Sequence, residues 1–350
     1  MEKPPFTIII TTYKRPHLLK RAAQSALNQT WENLTVLILD DESNDETEAF
    51  MLEMAKKDPR LQYIRHPKRL GMLKNYQYGF DNVAAEYFSF LSDDDYLLPH
   101  FCETVMEGFF KYPEIAFSAA ATICVERDKS AFIDFNFWPR EGIYFPPDGL
   151  AQMFGKLPTP NSTAYKKSKI GIISIDYENQ AGWDWDFHYQ MAGHYPFAIS
   201  KRPCSFLFRH PGSFTTSAPR KTMANSCLRM AERFEGFDFI PPDVKKKAID
   251  YHQKIYLKYT LHDQIEFRQF HKSADTAKKL LKLSFSLDDC ILYLFSRLFL
   301  MISPSEKQMD LLKKIRRYLF KFANPRPNYL EYLKSKDPAS YRACIELEKI

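Results

Sequence analysis

Three consecutive carboxylates, Asp93-Asp94-Asp95, are the first residues of this sequence to ask for a chemical explanation. Neighbouring like charges repel, so a folded chain holds them together only for a reason. One reason is a bound divalent cation, because Mg²⁺ takes few carboxylates and fills its shell with water and diphosphate oxygens. The plainer reason is a solvated acidic turn, or a cap on a helix starting at Pro99, where carboxylates suit the helix dipole. A second acidic pair, Asp184 and Asp186, stands between and beside Trp183 and Trp185. Burial against tryptophan raises a carboxyl pKa, as a general base requires; both residues also suit caps of a helix beginning near Phe187. Two further polar clusters, Thr11–Lys14 and Asp40-Asp41, follow apolar runs.

The elements around these residues determine where they sit. Phe6–Ile10, Thr35–Leu39, Leu61–Ile64, Tyr87–Leu91 and Ile115–Val125 are short apolar runs of strand type. Between them lie helical patterns: Pro16 followed by Ala22, Ala23, Ala26 and Leu27, then Phe50, Met51 and Met54, then Lys74–Val83 after Gly71. Proline suits a first helical position. Strands alternating with helices of this length predict an α/β fold around an open, mostly parallel sheet. In such sheets ligands bind beyond the carboxyl ends of the strands, which is where all three N-terminal polar clusters fall. Residues 126–217 are less regular and rich in aromatics and proline, Phe135, Phe137, Trp138, Pro158 and Pro160 among them, and read as a second half of the same domain. Beyond about Arg220 the chain reads as helical and basic, with a capping box at Ser303-Pro304-Ser305-Glu306 and an apolar face of Leu311, Ile315, Leu319 and Phe322.

With these residues in place the chain resembles family 2 glycosyltransferases of the GT-A fold. Four motifs occur in the family's order: Thr11-Thr12-Tyr13-Lys14-Arg15 with Ser25–Thr30, Asp40-Asp41-Glu42-Ser43-Asn44-Asp45-Glu46-Thr47, Arg69-Leu70-Gly71-Met72-Leu73-Lys74-Asn75, and Ser92-Asp93-Asp94-Asp95 through Pro99. The resemblance covers residues 6 to about 215. It implies an inverting transfer of a sugar from a nucleotide diphosphate donor, UDP favoured, to a glycan, protein or lipid-linked acceptor. Thr11, Thr12, Tyr13, Arg15, Asp41, Lys74 and Asp93 are implied to line the nucleotide site. Asp41 has the role of reading the base; an Asx-type loop cap and a plain helix residue are the other readings of Asp41 and Lys74. Mn²⁺ or Mg²⁺ is implied at Asp94, with Asp95 and His210 as further ligands, although Ser92 stands where the family's first Asp is common; a structural carboxylate is the other reading of Asp95, and a hydrogen-bonded loop residue that of His210. Gly182-Trp183-Asp184-Trp185-Asp186 takes the place of the family's "ED" motif, which makes Asp184 the base and Asp186 the second choice. Trp183, Trp185 and Asn161 border the implied acceptor site; core packing is the other reading of the tryptophans.

Composition bounds the rest. The chain has 350 residues, 45% hydrophobic and 26% charged, enough for a sizeable core and about two domains. The expected division is a catalytic domain over 1–217, its nucleotide half 1–125 and its acceptor half 126–217, followed by a basic helical region over 218–350. Residues 220–350 hold 26 Lys+Arg against 16 Asp+Glu (+10), whereas residues 1–219 hold 23 against 27 (−4). The basic region suits ordinary helical packing, an anionic membrane surface, or an oligomer interface; it carries no nucleic-acid module. Six scattered cysteines form no CxxC pair and read as reduced. No run reaches the roughly 20 apolar residues of a membrane span, so a cytoplasmic protein, peripheral on the inner membrane face if the tail binds lipid, is expected. Two other functions share these features. A non-catalytic sugar-nucleotide-binding scaffold would not need Asp93, Asp94 and Asp184. A nucleotidyltransferase would carry a glycine-rich phosphate loop, and this chain has no glycine before Gly71.

Overall fold

The computed structural model describes residues 3–125, 131–133, 138–283 and 287–302, with Gln308 and Lys334 as isolated positions. Phe135, Phe137, the Ser303 capping box and the face formed by Leu311, Ile315, Leu319 and Phe322 lie outside the described residues. Two compact units emerge, one running to Thr216 and one beginning at Ser217.

The first unit is a mixed sheet flanked by helices. Its strands are β1 (Phe6–Thr12), β2 (Leu34–Asp40), β3 (Leu61–Arg65), β4 (Tyr87–Ser92), β5 (Tyr96–Leu97), β6 (Phe117–Val125), β7 (Ala131–Ile133), β8 (Gly142–Tyr144), β9 (Thr163–Lys166) and β10 (Phe197–Phe208). Its helices are α1 (Pro16–Leu27), α2 (Thr47–Lys57), α3 (Met72–Asn82), α4 (Phe101–Lys111), α5 (Asp148–Met153) and α6 (Trp183–His194), and a short helix α7 (Phe214–Ser217) follows. The sheet order is β3-β2-β1-β4-β9-β6-β10-β5, with β7 on β6 and β8 on β10. β1 pairs in parallel with β2 on one side and β4 on the other, Ile8 opposite Val36 and Ser89. The central strands are apolar on both faces because helices cover both faces. Phe6, Ile8, Ile10, Val36, Ile38 and Leu91 join the core with Leu19, Ala22 and Ala26 of α1 and Phe101, Val105 and Met106 of α4. The mostly parallel α/β sheet read from the sequence is therefore the fold, and the antiparallel β9 and β5 make it mixed.

Two helix starts differ from expectation. Pro99 does not open α4, which begins at Phe101; the Pro99 carbonyl instead accepts the Thr30 N–H at 2.9 Å, tying the end of α1 to this turn. The helix expected near Phe187 begins at Trp183, so Asp184 and Asp186 lie in its first turn. Gly71 does precede α3, at φ +86, a backbone conformation costly for any residue with a Cβ.

The second unit is helical: α8 (Arg220–Glu235), α9 (Pro242–Glu266), α10 (Phe270–Leu283) and α11 (Leu287–Ile302) pack in sequence. Leu261, Ile265, Phe270, Ala277, Leu280, Leu292 and Phe299 form its core. Buried Asp289 of α11 lies between Lys254 (3.3 Å) and Lys258 (2.9 Å) of α9. Among the described residues no helix is long and apolar enough to cross a membrane. The five described cysteines are free thiols.

Candidate active site

The chain leaves β1 for β2 and β3 on one side, then returns to β4 on the other side of β1. The carboxyl ends of β1 and β4 therefore flank the point where strand order reverses, which opens a crevice in such sheets. Residues 11–15 and 93–95 meet there. Thr12 Oγ1 donates to Asp93 Oδ2 at 2.8 Å. Arg15, the residue before α1, sends Nη1 to Asp93 Oδ1 (3.1 Å) and to Asp94 Oδ2 (3.0 Å). Its Nη2 donates to the carbonyl of Gly212. Burial, then the Asp94 charge beside it, pushes the Asp93 carboxyl up to about 6 against the pull of Arg15.

His210, in the loop after β10, reaches the same carboxylate, with Nε2 3.0 Å from Asp94 Oδ2. The Gly212 N–H donates to His210 Nδ1 at 3.2 Å. Because Nδ1 accepts, Nε2 carries the ring proton and donates to Asp94. Asp94 and His210 bring together an oxygen and a nitrogen donor of the kinds a divalent cation takes; as a ligand His210 would carry its proton on Nδ1 and give up the bond from the Gly212 N–H.

Asp95 departs from the ligand set expected of it. Its Oδ1 accepts the Phe208 N–H at 2.9 Å and its Oδ2 the Asn161 side-chain amide. It faces β10 and the turn before β9, and fastens the end of β4 to them. Among the described residues no group of three His, Cys, Asp or Glu is assembled in metal-holding geometry. Asn161, expected to border the acceptor, is buried and spent on this turn as well: its Oδ1 accepts the Ser92 N–H and hydroxyl, both at 3.1 Å. Arg21, which sequence reasoning missed, donates to the Asp94 carbonyl and lies over the Phe208 ring at 4.5 Å. Its only signal was its place on the α1 face that also presents Ser25, whose hydroxyl accepts the Leu97 N–H at 3.2 Å.

A second cluster surrounds Asp41 and Tyr13. Asp41 is buried and accepts the N–H groups of Leu70 (2.6 Å) and Gly71 (3.0 Å), as the loop-cap reading allows. The Arg69 guanidinium covers the Tyr13 ring at 4.0 Å, with its Nε 3.8 Å from Asp41. Asp40 is wholly buried and structural, accepting the Ser43 N–H at 2.9 Å and the Tyr63 hydroxyl at 2.5 Å. Lys14 and Glu42 adopt φ of +55 and +67, non-glycine residues in the left-handed region at the two loops that line this side. Lys74 is exposed near the start of α3.

The aromatic residues connect this crevice to α6. Trp183 stacks on Tyr76 of α3, ring centres 4.5 Å apart and 28° between planes. The buried Tyr76 hydroxyl bonds Thr11 and Ser92. Trp183 is therefore engaged in packing, and it fixes the first turn of α6 to the nucleotide side. Asp184 follows it, partly open to solvent; burial pushes its carboxyl up to about 6 against the N–H groups of Asp184 and Trp185. His188, one turn on, donates from Nδ1 to the Asp184 carbonyl (2.8 Å) and accepts the Tyr165 hydroxyl on Nε2 (3.0 Å). Asp186 is 1% exposed, which closes it to an acceptor arriving from solvent and removes it as the second choice of base. Trp185 is partly exposed. One turn beyond Asp184, Phe187 lines a cavity of about 370 Å³ with Phe80, Ile170 and Ile175 on one hand and Gln77, Asp81 and Lys167 on the other.

Residues 7–161 match the family described as "Glycosyl transferase family 2". A GalNAc(5)-diNAcBac-PP-undecaprenol beta-1,3-glucosyltransferase of Campylobacter jejuni is 32% identical over 105 residues, 30% of this chain and 34% of that protein. An uncharacterized glycosyltransferase of Methanocaldococcus jannaschii is 29% identical over 116 residues, 33% of this chain and 39% of its own. The chain spans roughly a third of the length of the curated relatives it matches. Among solved structures, S. aureus TarS 1-349 in complex with UDP-GlcNAc has a TM-score of 0.56 at 14% identity, covering 99% of this chain and 91% of that one. The mannosyltransferase PcManGT from Pyrobaculum calidifontis, in complex with GDP-Man and Mn²⁺, has a TM-score of 0.57 at 15% identity, covering 91% and 86%. At these identities the two structures share the fold with this chain. The resemblance seen in the four N-terminal motifs is borne out over the segment that carries them.

Proposed function

We propose that this glycosyl transferase family 2 domain is the catalytic part of an enzyme that moves a sugar from a nucleotide diphosphate, UDP favoured, to an acceptor hydroxyl with inversion. One observation carries the reading: Arg15, Asp93, Asp94 and His210 converge at the β1/β4 crevice, and the Tyr76–Trp183 stack fixes a raised carboxyl, Asp184, beside it. Solved structures of the same fold bind UDP-GlcNAc in one case and GDP-Man with Mn²⁺ in another, which supports a nucleotide-sugar donor and a divalent cation.

In this reading Tyr13, Arg69 and Asp41 receive the nucleoside, and Thr12 and Asp93 orient each other beneath the donor. Asp94 and His210 would hold Mn²⁺ or Mg²⁺, which when bound stabilises the charge of the leaving diphosphate. Asp184 accepts the proton of the acceptor hydroxyl as its oxygen bonds the anomeric carbon. The electron pair of the broken carbon–oxygen bond leaves with the diphosphate. The partly exposed Trp185, next to Asp184, borders the acceptor in this reading, in keeping with a glycan or lipid-linked substrate. The proposed division between catalytic and helical regions at 217/218 lies one residue from the boundary between the two compact units. The helical region supplies a membrane-facing surface: Leu294, Leu298 and Met301 are exposed along one face of α11 with Arg297 among them.

The test is calorimetric titration of UDP and of GDP, each with Mn²⁺ and then with EDTA. Metal-dependent binding of UDP over GDP is the expected result. A folded protein that binds neither nucleotide would overturn the transferase reading and the sugar-nucleotide-binding scaffold reading alike.

A further inference from the structure

Arg15 occupies the place a cation would need. Asp93 and Asp94 are adjacent and nearly buried, at 6% and 7% exposure, and their facing oxygens share Arg15 Nη1 at 3.1 and 3.0 Å. Asp94 Oδ2 is also the oxygen that meets His210 Nε2. A divalent ion at that oxygen would stand beside a guanidinium held within hydrogen-bonding distance of the same atom, and like charges at such range repel strongly. Arg15 is built to leave. Its side chain is one-third exposed and belongs to the loop residue before Pro16, outside the helix. Its other nitrogen holds only the Gly212 carbonyl, in the loop that carries His210. Once free, a planar guanidinium offers paired donors that match phosphate oxygens.

We propose that Arg15 is the resident counter-ion of the Asp93–Asp94 pair and is exchanged for a divalent cation when the nucleotide diphosphate arrives to receive it. The proposal rests on the reading of Asp94 and His210 as cation ligands. Its consequence is that cation and nucleotide bind weakly apart and tightly together. By linkage, each must tighten the other by the same factor. Arg15 is a positioning residue in this scheme, and its effect is read without turnover.

The experiment measures Mn²⁺ binding by electron paramagnetic resonance, with and without saturating UDP or GDP, on the wild-type chain, Arg15→Gln and Arg15→Lys. Wild type is expected to bind Mn²⁺ at least about tenfold more tightly with nucleotide than without. In Arg15→Gln, nucleotide-free Mn²⁺ binding is expected to tighten about tenfold, and the coupling between Mn²⁺ and nucleotide to fall by about the same factor, leaving only what direct contact of cation and diphosphate supplies. Unchanged or weaker nucleotide-free binding in Arg15→Gln, with far-UV circular dichroism intact, overturns the exchange while leaving the cation reading in place. Wild type that binds no Mn²⁺ even with either nucleotide overturns both. Should Arg15→Gln fail to fold, Arg15→Lys decides. A single ammonium cannot bridge both carboxylates and Gly212 as the fork does, so nucleotide-free affinity is expected to rise about threefold, and no rise overturns the proposal.

Discussion

Asp93, Asp94 and Asp95 are consecutive in sequence and have three different surroundings. Asp93 meets Thr12 and Arg15, Asp94 meets Arg15 and His210, and Asp95 meets Phe208 and Asn161. Their substitutions should therefore separate binding from stability. Asp94→Ala is expected to abolish Mn²⁺-dependent nucleotide binding in the calorimeter with little change in unfolding midpoint. Asn161→Ala strands the Ser92 N–H and an Asp95 oxygen, and is expected to cost about 2 kcal/mol in denaturant unfolding. It should weaken nucleotide binding less than Asp94→Ala does. Asp184 carries the pH dependence. Burial pushes its carboxyl up to about 6, and a general base works deprotonated, so transfer is expected to rise through about pH 6 and to flatten above it. Asp184→Asn should keep donor binding and lose transfer. Wild-type turnover by that variant would remove Asp184 from the chemistry.

Elements were legible in the sequence where one physical signal dominated. The β-branched runs over Phe6–Ile10 and Thr35–Leu39 could not be exposed, and both became central strands, each longer by the residues that reach the site. Pro16 fixed the start of α1 for the same reason, since its missing N–H costs nothing there. Misreadings came where a signal served two ends. Pro99 marks a helix start by type, yet it stands two residues before α4 and its carbonyl accepts the Thr30 N–H instead. Trp183 and Trp185 were open between stacking on a sugar and packing, because only the fold brings Tyr76 against Trp183. The roles of Asn161 and Arg21 depend on partners 66 and 73 residues away, beyond any local pattern. Close approach is a property of elements too. A Cβ at Gly108 of α4 would stand 2.3 Å from the Ser118 hydroxyl and 3.0 Å from its Cβ on β6. Gly108→Ala should gain helix propensity and still lose about 1–3 kcal/mol in thermal or denaturant unfolding, because the contact is with the sheet. An unchanged midpoint would show that α4 can lift away freely.

At the scale of the whole chain the two units carry opposite responses to acid. His252 of α9, stacked on Phe234 of α8, is buried and pushed down to about 3. Its unfolded value is near 6.5, so the unfolded chain takes up the proton first as pH falls. The stability this group contributes is full above about 6.5 and drains as pH drops toward 3, by about 1.4 kcal/mol per unit at most. His188 in the first unit, pushed down to about 4, acts in the same sense. There, however, Asp93 and Asp184 have folded values raised to about 6. A carboxyl of that kind holds its proton more tightly folded than unfolded, so acid between pH 6 and 4 favours the folded first unit and offsets His188. The helical unit has no such offset among the groups with a resolved shift. All four tryptophans, Trp31, Trp138, Trp183 and Trp185, belong to the first unit, whereas α8 to α11 dominate the far-ultraviolet signal of the second. An acid titration is therefore expected to lose part of its helical circular dichroism near pH 4.5 while tryptophan emission still reports a folded site. His252→Leu should move the helical step to lower pH by removing the one group with a resolved shift among the described residues of that unit that titrates in the acid range. Coincident transitions by both probes, unmoved in His252→Leu, would mean that the units unfold as one and that His252 does not set their acid limit.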